Sequence, residues 1–170
     1  MIKQILILML TSVTALAGPD LPNRKLTPGA FRNVTSKQIC TKAFHTSDVR
    51  NVPESERRMV FKEYRIDWND RAFYECDHLC SLEIGGSNNI RNLFPEPWHI
   101  NVKGEDRGAK VKDVLENRLK KIVCNGTITL DAAQAAITIN WEKTYLQFIG
   151  PFPKYRGTKQ IADMHWVEKP

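Results

Sequence analysis

The chain has no apolar run long enough to cross a membrane as a helix. The stretch Ile5 to Leu10 falls far short of the roughly 20 residues that a span needs. There is no internal repeat and no low-complexity block, so a solenoid is excluded as its architecture. Cysteine is scarce, with four in 170 residues. Cys76 and Cys80 form one close pair, and no second pair accompanies them. A structural zinc site needs four N/S ligands, usually from two such pairs, so half the ligands are missing. Charge of one sign does not dominate either. The 25 Lys and Arg face 19 Asp and Glu, for a net +6. That excess suits a polyanionic partner without demanding one.

The first residues do carry a signal. Lys3, the short apolar run and the small-residue ending Ala15-Leu16-Ala17 form a secretory signal-peptide pattern, with cleavage expected after Ala17. No cysteine follows it, so no lipid anchor is expected. The expected plan is a signal peptide at 1–17, an extended lead-in at 18–29, one domain at 30–150 and a basic tail at 151–170. The expected location is secreted or periplasmic, with no stable membrane anchor. In an oxidising compartment four cysteines suggest disulfides, and the residues alone allow three pairings.

The elements follow from pattern. "VTSKQIC" reads as a short strand or turn. Pro53–Tyr64 reads as a helix, with a leading proline and acids in the first turn. Arg71–His78 is a strand, Gly85–Asn89 a turn, and Ile90–Phe94 a second strand that "PEPW" breaks. Ala109–Val123 places Val111, Leu115, Leu119 and Ile122 at helical spacing, joined by Val114 and Val123. Lys112, Asp113, Glu116 and Lys120 lie on its other side. Thr129 caps a last helix that stops at Gly150-Pro151. The fold class is therefore α+β, a small domain around a two-stranded ribbon.

"ECDHLCSLEIGG", Glu75 to Gly86, concentrates the chemistry. Asp77 offers the oxygen ligand that a hard cation takes. His78 offers an imidazole that is neutral near pH 7 and suited to taking a proton from water. Phosphodiester hydrolysis needs both roles.

"DHLCSLEIGGSNNIRNLFPEPW" resembles the HNH endonuclease superfamily, in which "DH", "GG" and "NL" mark the two strands of a ββα-metal finger. The wider chain, about Thr27 to Trp141, resembles a secreted bacterial branch of it. The resemblance implies Asp77 as metal ligand, His78 as general base, and Asn92 as the asparagine that braces the finger and helps hold the histidine. It implies a divalent ion, Mg²⁺ first, with Mn²⁺ or Zn²⁺ as alternatives, and a nucleic-acid substrate, DNA first. The ligand from the helix stays open between Asn101 and Glu116, with Asp113 beside Glu116 and His99 ranked lower. Arg50, Arg91 and Lys112 are candidates for holding phosphates, with Lys110, Arg118, Lys120 and Lys121 adding charge to the helix. Cys40 and Cys124 fall in blocks that resemble the secreted branch, and a disulfide between them is the first choice. Cys76 and Cys80 pair locally or stay reduced. The expected function is a secreted or periplasmic metal-dependent endonuclease of low sequence specificity. The alternative is a disulfide-stapled module, inactive as an enzyme, that binds nucleic acid or the envelope.

Overall fold

A computed structural model of the chain describes residues 21–156. The expected signal peptide, the first three residues of the lead-in and residues 157–170 of the tail lie outside the described residues. The architecture is mixed α and β, with two small antiparallel sheets. In chain order come α1 (Ser36–Ile39), α2 (Glu54–Glu63), β1 (Tyr74–His78), β2 (Leu93–Pro97), β3 (Asn101–Val102), β4 (Glu105–Asp106), α3 (Ala109–Cys124) and α4 (Leu130–Phe148).

The segment "VTSKQIC" forms a helical turn, α1, rather than a strand. Thr35 and Gln38 close a capping box around it, which satisfies donors that an isolated turn would leave bare. α2 matches the expected helix, starting after Pro53. The first strand is shorter than expected, because Trp68–Phe73 winds as a 3-10 helix before β1.

The second strand differs more. Ile90–Asn92 is a 3-10 turn, and β2 runs on through both prolines of "FPEP". Cys76 faces Pro95 and Tyr74 faces Pro97 across the ribbon. The two prolines are two residues apart, so both fall where the backbone nitrogen points away from β1. The bonding positions alternate with them, and Trp98 N–H still donates to Phe73 C=O at 3.0 Å. A two-stranded ribbon has room for proline at such edge positions.

Between the strands, the double glycine has two jobs. Gly85 sits in the left-handed region at φ 88°. A Cβ on Gly86 would stand 1.8 Å from the Cys80 carbonyl oxygen, so only glycine fits.

Two apolar cores result. α3 and α4 bury Val111, Leu115, Leu119, Ile122, Ile137 and Trp141 between them. α2 packs Val60 and Tyr64 against Leu79, Leu93 and Phe94 of the ribbon and its loop. Val114 does not join the apolar face and is 49% exposed. Lys112, expected on the polar side of α3, is fully buried. α4 is interrupted at Asn140, which leaves helical geometry and caps a second helical segment by accepting from Lys143 N–H at 2.9 Å.

The β3–β4 hairpin has no counterpart among the elements that the sequence pattern predicts. Its turn, Lys103-Gly104, has positive φ at both residues, the turn geometry that suits right-twisted strands. Ordered structure also extends past Pro151. Phe152 is buried and stacks on Tyr145 with ring centroids 4.6 Å apart. The lead-in is likewise anchored: Thr27 Oγ1 donates to Leu93 C=O at 2.8 Å.

Cys40 and Cys124 form a disulfide across a sequence separation of 84 residues. Closing a loop of that length contributes about 4–5 kcal/mol in the chain-entropy account. Cys76 and Cys80 are free thiols, and burial pushes both pKa values up to about 12.

Candidate active site

Asp77 and His78 end β1. Neighbours on a strand point to opposite sides, and these two take different partners.

The His78 ring is 1% exposed. Its Nε2 lies 3.1 Å from Asn88 Oδ1, and the Asn88 amide donates from Nδ2 to Val49 C=O at 2.7 Å. That second bond fixes which end of the amide faces the ring, so His78 Nε2 carries the hydrogen. Nδ1 is then the bare lone pair, and it is buried with no hydrogen-bond partner. Burial pushes the His78 pKa down to about 4, with Asp77 opposing only in part. At neutral pH this is an uncharged imidazole with one free basic nitrogen.

Asp77 meets α3. Its Oδ2 accepts from Lys112 Nζ at 2.6 Å. Burial would raise the Asp77 pKa, but the ammonium beside it holds the carboxyl well below its usual range. The same Nζ donates to His78 C=O at 2.8 Å and to Glu116 Oε1 at 2.5 Å. Lys112 and Glu116 are four residues apart and so share a face of α3. Glu96 of β2 brings Oε2 to 3.7 Å from Nζ. Burial works against the Lys112 charge, yet these three carboxylates hold its pKa well above the ordinary value. Glu96 is 1% exposed, and neither of its oxygens has a hydrogen-bond partner. Burial raises its pKa well above the usual carboxylate value, against the pull of Lys112 and with the charge of Asp77 adding to the rise. Burial also raises Glu116, to about 7, against the pull of Lys112. Glu116 Oε2 accepts from Ser81 Oγ at 2.7 Å.

Asn92 is fully buried and braces the loop between the strands. Its side chain accepts from Cys80 N–H at 2.9 Å and donates to Cys80 C=O at 3.0 Å and Ser87 C=O at 2.9 Å. The residue whose side chain holds the histidine ring is Asn88.

The structure thus brings Asp77, His78, Lys112 and Glu116 together and adds Asn88, Glu96 and Ser81. Asn88 sat in a stretch read only as turn chemistry, and Glu96 in one read as a strand break. Asn101 is exposed on β3, and its Oδ1 accepts from Gly104 N–H at 2.8 Å. Asp113 pairs with Lys110 at 3.1 Å. His99 Nδ1 lies 2.6 Å from Asp106 Oδ2. Arg91 is exposed. Arg50, with its side chain 47% exposed, stands 3.9 Å from Glu75, and its charge reaches His78 and disfavours the imidazolium. A cleft of about 460 Å³ is lined by His99, Asp106, Pro153, Lys154 and Arg156.

Mg²⁺ beside Asp77 would need near-octahedral oxygens at about 2.1 Å, several of them from water. The Asp77 and Glu116 oxygens instead face the Lys112 ammonium. Among the described residues no group of three His, Cys, Asp or Glu side chains is arranged to hold a metal ion. As placed, the donor set fits an ammonium and not a divalent ion. Set against family models, curated proteins and solved structures, the chain matches none.

Proposed function

We propose that the chain is a secreted or periplasmic endonuclease that hydrolyses phosphodiester bonds, with DNA as substrate and little sequence preference. One observation carries this reading: the buried Nδ1 of His78, left bare by a fixed tautomer. A neutral imidazole with one free lone pair is the chemical form of a general base. Asn88, held by Val49, keeps the ring turned so that Nδ1 takes the proton from an attacking water. Arg50, half exposed and close enough to act on His78, supplies a positive charge for the phosphate. Nδ1 is buried as placed, so an attacking water needs an opening beside the ring. No step is assigned to a divalent ion, because the expected ligands are engaged by Lys112.

The test is cleavage of plasmid DNA by the mature chain and by His78→Ala, each with and without chelator. Cleavage by the mature chain that the variant loses supports the enzyme. Equal cleavage by both removes His78 from the chemistry.

A second reading has its own observation. All three donors of the Lys112 ammonium are spent inside the protein, so the cluster beside the histidine also serves as a rigid strut. That suits a module that binds nucleic acid or the envelope without cutting. DNA retention in a gel-shift assay, without cleavage by the mature chain, selects this reading.

A further inference from the structure

Four oxygen acceptors from three elements converge on one buried point. Asp77 Oδ2 and the His78 carbonyl come from β1, Glu96 Oε2 from β2, and Glu116 Oε1 from α3. Carboxyl and carbonyl oxygens are the ligand type a hard cation takes, although as placed they are spaced around an ammonium. We infer that Lys112 is a built-in cation, holding the point where a divalent ion would otherwise sit and making the centre independent of metal.

The geometry argues for a permanent occupant. The ammonium has three N–H groups, and Asp77, His78 C=O and Glu116 take one each. The side chain has no exposure, and its Nζ lies 5.9 Å from the centre of the Phe94 ring. A metal ion could replace it only if the whole stem left the interior. Glu96 Oε2 stands 3.7 Å from Nζ, beyond the three oxygens that take its N–H groups, so the pocket offers one more oxygen than the ammonium bonds directly. Lys112 is a positioning residue here: it fixes Asp77 and the His78 backbone, and has no donor left for substrate.

The consequence for catalysis rests on the nuclease reading, namely that any cleavage persists in chelator. The claim about the cation does not, and metal binding tests it alone. The mature chain, Asp77→Asn and Lys112→Ala are titrated with Mn²⁺, followed by electron paramagnetic resonance and by thermal melting. The mature chain is expected to show no saturable binding and the same melting response as Asp77→Asn. Lys112→Ala, with the donor set vacated, is expected to gain one bound Mn²⁺, or to fold only when Mn²⁺ is present. Adding Glu116→Gln to it removes the gain. Saturable binding by the mature chain that Asp77→Asn abolishes overturns the inference. So does a Lys112→Ala chain that Mn²⁺ neither binds nor rescues. Neither result depends on whether DNA is cut.

Discussion

Two aspartate–histidine neighbourhoods in this molecule invert what their spacing suggests. Asp77 and His78 are adjacent, yet their side chains serve different partners, Lys112 and Asn88. His99 and Asp106 are seven residues apart, yet their side chains meet at 2.6 Å. The first pair is sealed, and burial leaves its imidazole neutral with a bare nitrogen. The second is a solvent-facing dyad: the His99 side chain is 52% exposed. Asp106 is anchored from behind by Ile100 and Gly108 N–H. Adjacency on a strand separates side chains, while a hairpin gathers distant ones. A short "DH" therefore marks a place on the chain and says little about a dyad.

The largest expected difference between the two regions is in cleavage. Loss of a general base costs about 10²–10⁴-fold, so His78→Ala should lose that much rate on plasmid DNA. His99→Ala should leave the rate unchanged. A drop in His99→Ala with normal cleavage by His78→Ala would exchange the roles of the two sites.

Stability should separate buried from exposed cations next. Lys112→Met strands the carboxylates around it, and breaking a buried pair in this way costs about 3–5 kcal/mol. Lys110→Met breaks an exposed pair with Asp113, worth about 1 kcal/mol or less. Urea midpoints of the two variants measure the contrast.

The pH dependence is third and has two opposing parts. His78 falls from its ordinary 6.5 to about 4 on folding. Between those values the folded ring binds fewer protons than the unfolded one. Its stabilising share is therefore whole above pH 6.5 and is lost as pH falls towards 4, up to about 3 kcal/mol. Glu116 rises from 4.5 to about 7, so its share is present below 4.5 and lost as pH rises through 7. The two partly cancel in the native chain. Glu96 is raised as well and acts in the same sense as Glu116, so Glu116→Gln combined with Glu96→Gln should expose the His78 slope, with stability falling as pH drops from 6.5 to 4. A flat urea midpoint in that variant would contradict a buried neutral histidine.

The smallest effect belongs to His99, the exposed half of the second dyad. His99→Ala should change stability by about 0.5 kcal/mol or less, as surface changes do. Asp106→Ala strands buried N–H groups and should cost about 1–3 kcal/mol. Equal costs would mean that the dyad itself, and not the anchoring of Asp106, holds the hairpin.

Much of the frame was legible because it depends on local rules. The apolar period of α3, the cap at Thr129, the proline before α2 and the turn glycines each specify an element from a few neighbouring residues. The Cys40–Cys124 disulfide came through a resemblance and not through spacing. The site was legible only at Asp77 and His78. Period alone puts Lys112 on the polar side of α3, and nothing local shows that Glu96 and Glu116 await it there. Glu96 was hidden between prolines that read as a strand break, although their alternation lets the ribbon continue. Asn88 looked like turn chemistry because its partner, Val49, lies 39 residues away. Side chains that meet only in three dimensions leave no period to read.

The two prolines of β2 have one more consequence. Along its outer edge, positions 95 and 97 have no backbone N–H to offer. A third strand, from this chain or another copy, would find carbonyl oxygens there but no matching donors, and could not complete a ladder. The ribbon is closed to growth on that side, which protects a small sheet from edge-to-edge aggregation.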